Sequence, residues 1–196
     1  LRLFYAIKMI FLGYLKLKFL LNFDKSIVEF KKILGNNYIN YDDIPQFLVR
    51  TILVVEDGGF MYHNGYPHKK KTLIYLIRGI FNKFGYSGIV QQLIKNLFYL
   101  NLPNKFYNFK RKINELNLTY FINKFYSKQQ ILEYYFNILG YIDYKMHHIT
   151  NFGLINLSQK LFQKKPNELT KFESILFSVI INNIPKYFNT DNLNKE

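Results

Sequence analysis

Apolar residues recur at helical intervals along most of the chain, and no segment alternates convincingly as a strand would. Residues 1–21, LRLFYAIKMIFLGYLKLKFLL, are strongly apolar but carry Lys8, Lys16 and Lys18. A spanning helix needs about 20 apolar residues with few charges, so three readings stand. The segment is a degraded or truncated membrane anchor, an aromatic helix lying in the interface with its lysines snorkelling, or an ordinary core helix. No small-residue cleavage site follows it, so a cleaved signal peptide is not expected. Residues 22–50 read as mixed, with turns at Gly35-Asn36-Asn37 and Asp42-Asp43.

From Pro45 onward helices dominate. Ser127 to Gln130 has the spacing of a capping box, with Ile131, Leu132, Tyr135 and Phe136 following at helical intervals. Thr170 to Glu173 repeats the device before Ile175, Leu176, Val179 and Ile180, and Pro185 closes that helix. Pro103 and Pro166 punctuate the remainder. The expectation is an all-α chain without internal repeats. It divides into an apolar, basic, membrane-associated segment and linker at 1–43, one helical domain at 44–188, and a frayed tail at 189–196.

Composition sharpens this picture. The 196 residues are 49% hydrophobic and 20% charged, which excludes a disordered chain. With no cysteine, disulfides, thiolate metal sites and a cysteine nucleophile are excluded. A net charge of +14 and an aromatic share of 19% suggest an anionic partner, nucleic acid or membrane. Only Arg2, Arg50, Arg78 and Arg111 are arginines, and no recognisable reader motif is present, so nucleic acid is not the expected partner.

Four stretches could carry chemistry. In EDGGFMYHNG at 56–65, Glu56 and Asp57 close the apolar run Ile52–Val55, which is either an acidic turn at a helix end or a place where burial raises an acid toward the pKa of a general base. Phe60 and His63 follow, with glycines that allow close approach. In GYSGIVQQLIKN at 85–96, Ser87 and Gly88 precede a helix on which Gln91, Gln92, Lys95 and Asn96 pair at i, i+4. A helix with so many donors beside one cation either presents a solvated polar face or holds a phosphate or a sugar. In RKINE at 111–115, Arg111 and Glu115 lie one turn apart beside Lys112. That is either a surface ion pair or a pyrophosphate patch with a possible metal-ligating Glu115. The fourth is KQQILEYYFN at 128–137, which includes Glu133 and Asn137. The pair His147-His148 has only Asp143 nearby and is not read as a metal site.

In this order the four stretches resemble the motifs of the peptidoglycan glycosyltransferases, the family 51 transglycosylase domain of penicillin-binding proteins and of the monofunctional enzymes. The resemblance runs over roughly 44–188. It implies a lysozyme-like helical domain on the outer face of the cytoplasmic (inner) membrane that polymerises lipid II, an undecaprenyl-pyrophosphate-linked disaccharide, into glycan strands. Glu56 would be the general base of an inverting displacement, and Glu115 the second family glutamate. Lys95, Arg111 and Lys112 would stabilise the pyrophosphate, with a divalent Mg or Mn ion as possible cofactor held by Glu115. Ser87, Gln91, Gln92 and Asn96 would line the cleft. Asp57, Phe60, His63, Glu133 and Asn137 would support it. Residues 66–84, rich in Lys and aromatic residues, would dip into the headgroups, and other cell-wall synthesis proteins are possible partners.

Some positions depart from the family pattern. Gly88 stands where the family has Thr, Val90 replaces its next Thr, and Pro67 occupies the place of an acid. Between Asn137 and Gly153 the chain is about six residues longer than is usual in the family and lacks its glycine-rich turn. Asn156-Leu157 replaces a small Ala pair. The lost hydroxyls leave an alternative open, a non-catalytic relative that binds lipid-linked glycan or scaffolds a synthase.

Overall fold

In the computed structural model, residues 2–65, 87–98, 115, 117–140 and 152–181 are described, 2–12 and 15 by their backbone only. The expectations placed on 66–86, Pro103, Arg111, Lys112, His147-His148, Pro185 and the tail lie outside these residues. Every regular element among the described residues is helical. The long helices are α1 (Arg2–Leu34), α2 (Gln46–Asp57), α3 (Ile89–Phe98), α4 (117–125), α5 (Lys128–Asn137), α6 (Leu154–Phe162) and α7 (Lys171–Ile181).

The chain divides into two compact units, Leu1–Gly35 and Asn36–Glu196. The first is α1 itself, which runs unbroken to Leu34, where a mixed segment was expected from residue 22. The polar residues there mislead because no Gly or Pro interrupts 14–34, while Phe23, Ile27, Phe30 and Leu34 recur on one stripe. Gly35 then ends the helix at φ +51°, a left-handed conformation that glycine adopts without strain. No helix among the described residues is long and apolar enough to cross a membrane.

In the second unit α2 packs on α7, α3 on α5, and α6 on α7. Both expected capping boxes form. Ser127 Oγ accepts from Gln130 N while Gln130 Oε1 accepts from Ser127 N. Thr170 and Glu173 exchange the same pair of bonds at the start of α7. Lys164 Nζ adds a 2.7 Å bond to Glu173, and these partners pull its carboxyl down to about 2. Ile44, Leu48, Ile52, Leu93, Ile131, Leu132, Phe136, Leu154 and Phe177 are buried in the core, each worth about 1.5–3 kcal/mol of transfer free energy.

Candidate active site

Helix α2 places the first acid. Leu48 and Ile52 face the core, and Glu56 follows at the next four-residue step, so the periodicity that buries the leucine also buries the carboxylate. Glu56 is 8% exposed and Asp57 1%. Their surroundings differ in completeness. Asp57 Oδ1 receives His63 Nε2 at 2.8 Å, and Oδ2 receives the backbone N–H of Ile89 at 3.2 Å. Glu56 Oε2 receives Gln92 Nε2 at 2.6 Å, and among the described residues nothing else bonds to that side chain.

The histidine's tautomer follows from its neighbours. Gly65 N donates to His63 Nδ1 at 3.0 Å, so the ring proton sits on Nε2 and is given to Asp57. Lys128, the first residue of α5, holds this turn from below. Its Nζ donates to His63 O at 2.6 Å and to Asn123 Oδ1 at 2.7 Å, and lies 4.3 Å from the Phe60 ring centroid. Burial lowers the Lys128 pKa, opposed by the charge of Asp57.

Gln92 is oriented by three groups. Its Nε2 also donates to Ser87 O at 3.1 Å, and its Oε1 accepts from Tyr135 OH at 3.4 Å. Tyr135 is fully buried, and desolvation, followed by the charges of Glu56 and Asp57, raises its pKa well above the ordinary phenol value. It therefore stays a neutral donor. The order Tyr135, Gln92, Glu56 leaves one oxygen of Glu56 uncommitted among the described residues. Burial, reinforced by the charge of Asp57 and opposed by the Gln92 bond, raises the Glu56 pKa. A carboxylate so placed can take a proton from a hydroxyl.

The other expected residues distribute around this pair. Gln91 is buried on α3, and Lys95 and Asn96 are half-buried one turn further along. No acid among the described residues pairs with Lys95. Glu115 is buried, and Thr119 Oγ1 donates to its carbonyl at 2.6 Å. Its helical turn meets the His63 loop directly: Gly65, at φ +91°, lies so close to Thr119 Cγ2 that a Cβ there has no room. Glu133 and Asn137 lie elsewhere, on the segment 38–41. Glu133 accepts from Tyr38 OH at 2.7 Å and from Tyr41 N at 3.1 Å. Asn137 exchanges bonds of 2.9 and 2.7 Å with the N–H and C=O of Ile39.

Asn123 and Thr119 had no role in the sequence reading, and Lys128 and Tyr135 stood there only as part of a capping turn and an apolar helix position. The motif at 128–137 contains Lys128 and Tyr135, but only the path of α5 beneath the His63 turn shows what they touch.

A family profile described as transglycosylase matches residues 24–196. The chain belongs to the transglycosylase family. Its membership extends beyond the 44–188 stretch on which the motifs lie, into the second half of α1. Among its relatives is a penicillin-binding protein 1B from Buchnera aphidicola subsp. Baizongia pistaciae, 33% identical over 142 residues, or 71% of this chain and 18% of that protein. A biosynthetic peptidoglycan transglycosylase from Nitrosomonas eutropha is 28% identical over 159 residues, covering 80% and 61%. A monofunctional glycosyltransferase from Staphylococcus aureus strain JH9 is 27% identical over 180 residues, covering 87% and 62%. The matched stretch thus spans less than two thirds of each of these transglycosylase relatives.

Proposed function

We propose that this transglycosylase is an inverting glycosyltransferase that polymerises lipid II into the glycan strands of the bacterial cell wall, working at the outer face of the cytoplasmic membrane on a lysozyme-like helical scaffold. The observation that carries the reading is Glu56: a buried carboxylate with raised pKa, held through one oxygen by an oriented amide. Its uncommitted oxygen takes the proton of the acceptor's sugar hydroxyl as that oxygen attacks the donor's anomeric carbon. The bond from that carbon to the pyrophosphate breaks, the configuration inverts, and the lipid pyrophosphate leaves with the bonding electrons.

A leaving group of this kind needs positive charge more than a proton. Lys95 has no acidic partner among the described residues and is the cation we assign to it, with Arg111 and Lys112 beside it by family resemblance. Among the described residues no three His, Cys, Asp or Glu side chains gather to hold a metal ion. Glu115 remains our candidate ligand, and a bound Mg or Mn ion would supply neutralisation of the pyrophosphate charge. The reading as a non-catalytic relative rests on the hydroxyls missing at Gly88 and Val90. The space beside Gly88 is filled by Asp57, so that position has no open place for a hydroxyl here, and Val90 is buried.

The test is elongation of lipid II by the purified protein in detergent with Mg²⁺ or Mn²⁺. Polymer is the expected product. Binding of lipid II by folded protein without polymer would replace the catalytic reading by the binding one.

A further inference from the structure

The first N–H groups of a helix have no partner within it and are ordinarily capped by the residue just before. In α3 the cap comes from far away in sequence. The N–H of Ile89 donates to Asp57 Oδ2, 32 residues upstream, and the negative carboxylate also suits the positive end of the helix. The carboxylate can reach because residue 88 has no side chain. A Cβ built there would fall far inside contact distance of Asp57 Oδ2 and 3.3 Å from its Cγ. Asp57 has no retreat, since its other oxygen is held by His63 and the residue is 1% exposed.

We propose that Gly88 is a positioning residue of the reaction: its bare Cα lets Asp57 lock α3 against α2, and so sets Gln92 on the base. The proposal rests on the reading of Glu56 as the proton acceptor. Adding even one methyl must push α3 as a body, because the obstacle is a carboxylate bonded on both sides. Gln92 lies in the first turn of that helix, and its amide meets Glu56 at 2.6 Å. Small displacements at such a contact cost rate heavily, up to about 100-fold for 1 Å. The family's threonine at this position would thus be harmful in this chain rather than restorative.

The experiment is a double-mutant cycle of wild type, Gly88→Ala, Asp57→Ala and the double variant, read by melting temperature and by lipid II elongation in detergent. Gly88→Ala is expected to lower the melting temperature and to reduce kcat by about tenfold or more, with KM little changed. In the same variant the acidic limb of kcat moves to higher pH, because the Gln92 bond that lowers the Glu56 pKa is loosened; a general loss of structure would not move it. On the Asp57→Ala background, Gly88→Ala adds no further loss in melting temperature. Additive losses, or a Gly88→Ala protein that melts like wild type, overturn the proposal. If Gly88→Ala fails to fold, a folded double variant supports the proposal and an unfolded one overturns it. Gly88→Thr should behave like Gly88→Ala, and tighter lipid II binding by that variant would count against the clash. Absence of polymer from the wild type would end the reading of function while leaving the melting cycle to decide the role of Gly88.

Discussion

Two polar clusters among the described residues stand at opposite degrees of completeness. At the Glu133–Asn137 end of α5, the side-chain atoms bind the backbone and phenol of 38–41 in bonds of 2.7 to 3.1 Å. At the end of α2, Asp57 is satisfied in the same way, but its neighbour Glu56 is held through only one oxygen among the described residues. A polar group with its bonding filled by its own chain contributes to the fold. One that is desolvated, oriented and left open can react. The contrast falls between adjacent residues, Glu56 and Asp57, and the helix geometry creates it. Glu56 continues the Leu48–Ile52 face toward α3, while Asp57 turns a further 100° toward His63 and the N-terminus of α3.

The sharpest way to break this contrast is Glu56→Gln. Lipid II elongation should fall by about 10² to 10⁴-fold, the usual range for loss of a general base, and an equal rate would remove Glu56 from that role. The same variant should melt no lower, and at neutral pH slightly higher. An acid whose folded pKa is raised above 4.5 binds its proton more tightly when folded. Stability therefore declines as pH rises from the unfolded value through the folded one, and glutamine escapes that loss. Asn137→Leu should do the reverse. It strands the N–H and C=O of Ile39, costing about 1–3 kcal/mol for each group left buried and unpaired, while kcat per folded molecule stays near wild type. Denaturant unfolding beside a single-turnover assay separates the two effects.

Smaller effects refine the contrast. The acidic limb of the pH–rate profile should lie above the ordinary carboxylate value of 4.5, because burial and then Asp57 raise Glu56. Gln92→Leu should move that limb higher still, since it removes the bond that favours the charged form. Smallest of all, Glu173→Ala should lower the melting temperature above pH 4.5 and leave it unchanged below pH 2. The Glu173 carboxyl is pulled down to about 2, so its contribution is complete above the unfolded pKa and disappears as pH falls through the folded one. Thermal melts across that window measure it.

The devices that proved readable in the sequence are local ones. The capping boxes at Ser127 and Thr170 depend on residues three apart, and the chain needs nothing distant to form them. The burial of Glu56 was readable from the period of the apolar run before it. The bond from Gln92 to Glu56 was not, because it joins residues 36 apart in sequence and depends on how α3 meets α2. The same holds for Gly88. As a letter it reads as a lost hydroxyl, and only the position of the Asp57 carboxylate shows a space already filled. The continuation of α1 to Leu34 was hidden by its polar residues, which a helix accommodates on its outer side.

At Gly65 the polypeptide touches Thr119 with nothing but a hydrogen facing it. The turn that carries His63 and the helical turn that carries Glu115 therefore ride as one piece, like two gears sharing a tooth. Crowding at either one is felt at the other, and an alanine at this position would wedge them apart.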